Sequence, residues 1–256
     1  MKEETVLYQL DGNVGIITFN RPHRLNAING ELLDDFIRQL LEAREDKEAA
    51  TVIMTGAGRS FCAGEDLKET SAGKSFEQWI SEADRLQDIQ RLMLRLNKPL
   101  IAAVNGYALG GGLEFALSAD IRIAAHDAKF GFPETGVGLT LTQSGTKLIS
   151  QIVGLGKAKE LVFTGEFIDA DEALRIGLVN KVVPNESLMD EAVSMCKKIG
   201  ERSPLSLRLS RIALDQGLHS SFEQMLEIEA NHLLICGSSE KQKQFIEKKM
   251  AEMKQG

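Results

Sequence analysis

Cysteine is scarce in this sequence: Cys62, Cys196 and Cys236 are the only three, an odd number without a CxxC spacing. That excludes a closed disulfide framework and predicts reduced thiols in a cytosolic-type compartment. Five prolines among 256 residues are too few for a Pro-rich linker. No uninterrupted apolar run approaches the length that crosses a bilayer. The start, Met1-Lys2-Glu3-Glu4-Thr5, enters a strand-like segment without an apolar signal core, so no membrane segment is expected and a cytoplasmic location is. A basic excess is missing too. The formal net charge of −7 argues against a nucleic-acid scaffold. Lys241, Lys243, Lys248, Lys249 and Lys254 crowd the C-terminal segment and read as a solvated helix face.

Several cofactor and catalytic signatures are also missing. Gly110-Gly111-Gly112-Leu113-Glu114-Phe115 lacks the GxGxxG spacing of a dinucleotide site, and no GxxxxGK[ST] loop occurs. Gly58-Arg59-Ser60-Phe61-Cys62 lacks the final glycine of a nucleophile elbow. His23, His126, His219 and His232 are scattered without metal-ligand spacing, and HExxH is absent, so no metal is expected. Cys62 reads as a small buried thiol before it reads as a nucleophile.

What the sequence does contain is an alternation of strands and helices over roughly its first 180 residues. Val6 to Leu10 and Val14 to Phe19 form a hairpin about Asp11-Gly12-Asn13. Leu32, Leu33, Phe36, Ile37, Leu40 and Leu41 recur at helical spacing between about residues 31 and 44. Thr51 to Thr55 and Leu100 to Val104 are short buried-type strands. Ser75 and Gln78 make a capping box for a helix whose stripe is Phe76, Trp79, Ile80, Ala83 and Leu86. Asp169 and Glu172 cap a short helix ending at Gly177, and Leu178 to Val183 return as a strand. The pattern predicts an α/β fold with a largely parallel sheet. After Pro184 it becomes helix upon helix: one to Gly200, one from Pro204 to Gly217, one capped by Ser220 and Glu223, and one reaching about Met253. The expected division is a core of residues 1–184 and a helical subdomain of residues 185–256.

The chemistry concentrates in Gly106-Tyr107-Ala108-Leu109-Gly110-Gly111-Gly112-Leu113-Glu114 and in Phe132-Pro133-Glu134. Glycines let a backbone N–H approach a ligand closely, and a helix N-terminus favours developing negative charge. Two carboxylates beside such donors suit general acid/base work around an oxyanion. Glu114 sits in an apolar run, which favours a buried acid with a raised pKa. Glu134, taken alone, reads as a surface turn residue after Pro133.

These residues carry a resemblance. Ser60-Phe61-Cys62-Ala63-Gly64-Glu65-Asp66-Leu67-Lys68-Glu69 resembles the first oxyanion-hole loop of the enoyl-CoA hydratase/isomerase (crotonase) superfamily. Lys98 to Gly112 resembles its second. Asn20-Arg21-Pro22, Leu25-Asn26-Ala27, Gly177-Leu178-Val179 and Phe245-Ile246-Glu247-Lys248 are similar to further landmarks, so the likeness spans nearly the whole chain. It implies a crotonase-like spiral of β-β-α units with a C-terminal helical subdomain, assembled as a homotrimer or a dimer of trimers. It implies a lyase of fatty acid metabolism and β-oxidation, acting on enoyl-CoA thioesters without a separate cofactor, since CoA is part of the substrate. By position, the N–H groups of Glu65 and Gly111 would form the oxyanion hole. Glu114 would chiefly activate water and Glu134 would exchange the proton at C2. Arg24 would lie near the CoA phosphates, with Ala27, Ala63, Asp66 and Leu67 around adenine and pantetheine. Phe245 and Lys248 would close over CoA from a neighbouring subunit.

The sequence departs from the hydratase pattern twice. Glu65 stands where a small residue is usual, and its carboxylate would oppose an enolate unless turned away or neutralised. Leu141-Thr142-Gln143-Ser144-Gly145 replaces a Pro-Gly-Ala-Gly-Gly-like stretch bordering the acyl pocket. A double-bond isomerase and a thioester hydrolase are the rival readings within the fold. A non-catalytic acyl-CoA binder or an RNA-binding protein are those outside it.

Overall fold

The structure is a computed structural model and describes residues 4–253. Met1 to Glu3 and Lys254 of the basic segment lie outside the described residues. In chain order the strands are β1 (Val6–Asp11), β2 (Val14–Phe19), β3 (Thr51–Gly56), β4 (Ser60–Cys62), β5 (Leu100–Val104), β6 (Tyr107–Leu109), β7 (Ile121–Ala125), β8 (Lys129–Gly131), β9 (Ile168–Asp169) and β10 (Lys181–Val183). The α-helices are α1 (Gly30–Glu45), α2 (Leu67–Thr70), α3 (Phe76–Leu94), α4 (Gly111–Leu117), α5 (Gly145–Val153), α6 (Leu155–Thr164), α7 (Ala170–Arg175), α8 (Leu188–Gly200), α9 (Pro204–Gly217), α10 (Phe222–Gly237) and α11 (Glu240–Met253).

Two sheets share these strands. One has the order β1-β2-β3-β5-β7-β10 and is parallel except for the β1–β2 hairpin, and the other has the order β4-β6-β8-β9. Each pass of the chain therefore lays one strand in the first sheet, the next in the second, and then a helix: β3-β4-α2, β5-β6-α4 and β7-β8-α5. This is the β-β-α repeat that the family resemblance implied. Its consequence is that the turns after β4, β6 and β8 all leave the same end of the second sheet, because β4 pairs with β6 and β6 with β8 in parallel. Those turns carry Glu65, Gly111 and Glu134.

An aromatic cluster anchors them. Phe19 packs edge-on against Phe36 (ring centres 5.0 Å) and Phe61 (5.3 Å) and stacks on Phe115 (5.6 Å). Phe61 belongs to β4 and Phe115 to α4, and both are fully buried. Such contacts contribute about 0.5–1.5 kcal/mol per pair beyond burial. The segments around β4 and α4 are thus fixed against one core.

The chain divides into two compact units, one ending at Lys197 and the next beginning at Lys198. This boundary lies beyond residue 184, because Leu188, Ala192 and Cys196 of α8 are buried in the first unit. In the second unit, α10 is capped by Ser221 with Gln224, one residue later than expected, since it is the Ser221 hydroxyl that accepts the Gln224 N–H. Along α3 the expected stripe also shifts. Phe76 is 75% exposed, and the fully packed positions are Glu82, Leu86, Ile89, Gln90 and Met93.

Candidate active site

A cavity of about 480 Å³ opens among the turns after β4, β6 and β8 and the first half of α3. The site residues Glu65, Gly111, Glu114 and Glu134, drawn from three separate segments of the chain, all line it.

Gly110 makes the turn from β6 into α4. Its φ of 52° is a left-handed conformation, and a Cβ there would stand 2.6 Å from Glu134 Oε1. Only glycine meets both demands. The turn puts Gly111 at the first position of α4, where an N–H has no acceptor within its own helix. One turn on, Glu114 is 2% exposed, between buried Leu113 and Phe115.

The Glu114 carboxylate is held from the other side by the loop before α5. Glu114 Oε1 accepts N–H bonds from Thr142 (3.2 Å), Gln143 (2.8 Å) and Gly145 (3.0 Å). Burial raises the pKa of Glu114, while these three donors pull it back by stabilising the carboxylate. Glu134 is in a different state. It lies on a 3-10 turn, Pro133–Val137, but is only 9% exposed, so it is no surface turn residue. Its Oε2 is buried without a hydrogen-bond partner among the described residues. Burial, with the Glu114 charge adding, pushes its pKa up to about 7. Burial raises both carboxyl groups on this cavity, but they differ in their partners: Glu114 keeps three N–H donors that favour its anion, whereas Glu134 Oε2 has none among the described residues.

Glu65 and Gly111 both line this space. Ile28 pairs with Glu65 as an isolated parallel bridge, in which the Ile28 N–H donates to Gly64 C=O (2.7 Å) and Asp66 N–H donates to Ile28 C=O (2.9 Å). This pattern skips the Glu65 peptide, so its N–H is left out of the ladder. Asn26, fully buried, secures the approach: its side chain donates to Ser60 C=O (2.7 Å) and Ala57 C=O (3.0 Å) and accepts from the Arg21 N–H (2.8 Å).

The Glu65 side chain is paired with a shared cation. It accepts from the Thr70 hydroxyl and from Lys74 Nζ at 2.5 Å, and Lys74 also pairs with the buried Glu82. The Lys74 ammonium lies 4.6 Å from the centre of the Trp79 ring. Burial alone would lower the Lys74 pKa; the Glu65 and Glu82 hydrogen bonds outweigh it and hold Lys74 above its ordinary value.

The remaining predicted residues are distributed unevenly. Ala63 and Leu67 line the cavity; Arg24, Ala27 and Asp66 do not. Arg24 is exposed at the end of a 3-10 turn, Pro22–Arg24. The N–H groups of Ala27, Ala63 and Asp66 are taken by the carbonyls of Arg24, Leu25 and Ile28, so these amides are committed to the protein's own turns. The Asp66 carboxylate pairs with Arg21 at 3.1 Å and caps α2. Phe245 and Lys248 lie on α11 in the second unit, half-buried and exposed respectively. Cys62 is fully buried, its thiol pushed by burial up to about 12, which removes it as a nucleophile. No group of three His, Cys, Asp or Glu able to hold a metal occurs among the described residues, and no helix there is long and apolar enough to cross a membrane.

Sequence reasoning missed the α3 wall. Trp79, Glu82, Ala83 and Leu86 line the cavity rather than simply packing the core. A helix whose stripe mixes Trp and Ala with a buried Glu is the trace of that role. It also missed the N–H donors to Glu114, which backbone atoms supply and no side-chain pattern announces.

A family model described as enoyl-CoA hydratase/isomerase matches residues 9–256. The chain is 43% identical over 257 residues to the short-chain-enoyl-CoA hydratase of Clostridium acetobutylicum, covering 98% of each. It is 37% identical over 262 residues to the crotonyl-CoA hydratase of Syntrophomonas wolfei, again covering 98% of each. Among solved structures, the enoyl-CoA hydratase of Bacillus anthracis superposes with a TM-score of 0.92 at 32% identity, over 97% of this chain and 96% of that one.

Proposed function

The chain belongs to the enoyl-CoA hydratase/isomerase family, and from that premise we infer that it is an enoyl-CoA hydratase acting on short 2-enoyl-CoA thioesters. The observation that carries this reading is the pair of unlike carboxyl groups on one cavity, Glu114 hydrogen-bonded as an anion and Glu134 raised to about 7.

The reaction follows from those states. The substrate thioester oxygen accepts from the Glu65 and Gly111 N–H groups. As water attacks C3, the C2=C3 electrons move toward that oxygen and the enolate is held there. Each such donor is worth about 10²–10³ in rate. Glu114 takes one proton from the water and Glu134 delivers one to C2. A proton passing between the two carboxyl groups restores the starting state, so the pair titrates as a unit. Lys74 keeps the Glu65 carboxylate from opposing the enolate, which supports a role for Glu65 through its N–H alone.

Ala63 and Leu67 are the predicted CoA contacts that the cavity supports best. Arg24, Phe245 and Lys248 remain proposed contacts of the phosphates and of the outer CoA. A homotrimer or a dimer of trimers belongs to the same reading, as does a cytoplasmic location in fatty acid metabolism. Self-association is supported by apolar side chains exposed within the second unit, among them Leu214, Phe222, Leu226 and Leu233.

The test is to incubate the protein with enoyl-CoA thioesters of graded chain length and weigh the products. A gain of one water is expected with the short substrates. Unchanged mass with a moved double bond would make it an isomerase, and free CoA a thioester hydrolase.

A further inference from the structure

Besides Glu134, one other residue of this cavity buries an oxygen without a hydrogen-bond partner among the described residues. Gln143 lines the cavity at 1% exposure, and its Oε1 has no hydrogen-bond partner among the described residues. Buried acceptors are paired in native proteins unless a ligand or water completes them. The amide is oriented with Nε2 3.5 Å from the Gly111 carbonyl, a long contact that a turned-round amide would replace with one between two acceptors. The backbone of the same residue donates to Glu114 Oε1 at 2.8 Å. The orphan oxygen thus belongs to a residue tied at one end to the proposed base and at the other to a glycine of the proposed oxyanion hole.

Resting on the hydratase reading above, we propose that Gln143 is a water-positioning residue: its Oε1 accepts the O–H that the attacking water keeps. An enoyl thioester has no N–H or O–H near C2 and C3, so the only donor the reaction brings to this place is the water. One water proton goes to Glu114, the water oxygen bonds to C3, and the C2=C3 electron pair becomes the enolate that Glu134 protonates at C2. The second O–H is never broken. It becomes the 3-hydroxyl of the product, still directed at Gln143. With both O–H bonds of the water aimed, one at Glu114 and one at Gln143, the oxygen lone pair is turned toward C3. Glu134, which holds a proton, need not accept from the water at all.

The test separates water addition from enolate formation. Crotonyl-CoA hydration needs the water; exchange of the C2 protons of butyryl-CoA in D₂O needs only the oxyanion hole and the acid/base pair. Gln143→Met keeps length and apolar bulk and removes the acceptor. We expect the ratio of hydration to exchange to fall by about tenfold or more in Gln143→Met, with the loss in kcat rather than KM. Gln143→Ala, which leaves room for a second water to accept the bond, should give a smaller fall in that ratio. An unchanged ratio in both variants, whether the two activities persist or decline together, overturns the proposal. Native protein that neither hydrates crotonyl-CoA nor exchanges butyryl-CoA would instead overturn the hydratase reading itself.

Discussion

The Gly145 N–H donates to Glu114 Oε1 at 3.0 Å, and a Cβ on Gly145 would stand 2.5 Å from that same oxygen. The first helical residue of α5 therefore both orients the proposed base and can be nothing larger than glycine. Gly145→Ala is expected to push the carboxylate off its three donors and to lower kcat for hydration by about 100-fold, the scale of an ångström-sized misplacement. In a Glu114→Gln background the same change should cost little more, because residues acting as a unit are not additive. Steady-state kinetics of the two single variants and the double variant check this.

Removing either carboxyl function should abolish most hydration. Glu114→Gln and Glu134→Gln are each expected to lower kcat by about 10²–10⁴, the usual worth of a general acid or base. An isomerase would keep activity in Glu114→Gln. Rates measured on both 2-enoyl and 3-enoyl thioesters distinguish the outcomes.

The pH profile follows from the pair sharing one proton. Glu134, raised to about 7, loses that proton as pH rises, so kcat/KM should fall through about pH 7 on the alkaline side. An acidic limb should appear at lower pH, where Glu114 is protonated too. Substrate-side and product-side forms of the pair hold the same number of protons. Hydration and dehydration must therefore show the same profile. In Glu134→Gln the residual activity should lack the alkaline limb. Initial rates in both directions across pH decide it.

The same burial makes Glu134 a burden on stability. The unfolded chain ionises this carboxyl near 4.5, whereas the folded protein does so at about 7. Below both values the group contributes nothing. Between them the unfolded state gains by ionising first, and above the folded value the loss is complete, about 3 kcal/mol. Glu134→Gln should thus stabilise the protein by up to that amount at about pH 8 and by little at about pH 4. Denaturant unfolding at the two pH values measures the difference.

Lys74 stands between two carboxylates with its side chain 7% exposed. Lys74→Met leaves Glu65 and Glu82 facing each other and is expected to destabilise the protein by about 3–5 kcal/mol, as breaking a buried pair does. It should also slow hydration, because the Glu65 charge is then uncompensated beside the oxyanion. Adding Glu65→Ala should restore part of both losses. Thermal unfolding and kcat of the single and double variants provide the check.

Much of this was legible along the chain. The period-two and helical spacings located most strands and helices, and the glycine run before Glu114 announced a close backbone approach. What failed did so for physical reasons. Along α3 the expected stripe held only in part: Phe76 and Ile80 are exposed, and Trp79 and Ala83 face a cavity, whose wall is as apolar as a core wall. Glu134 looked like a turn residue because Pro133 does start a turn; that the turn is buried depends on Gly110 and on elements distant in sequence. The α8 boundary moved because a helix-upon-helix pattern does not say which sheet, if any, the first helix packs upon.

Local chemistry by itself determined the alternation of elements, the exclusion of dinucleotide, P-loop and disulfide architectures, and the glycine turn before Glu114, while the family resemblance added Glu65 and Glu134. The locally determined features depend only on side-chain type and short-range spacing. Charge states were decided by the tertiary structure alone. Glu114 meets three N–H donors from residues 142–145, Glu134 meets none on its Oε2, and Glu65 meets Lys74. Desolvation and hydrogen bonding act through space, so carboxyl groups that are identical in sequence acquire different protonation only when the folded chain surrounds them.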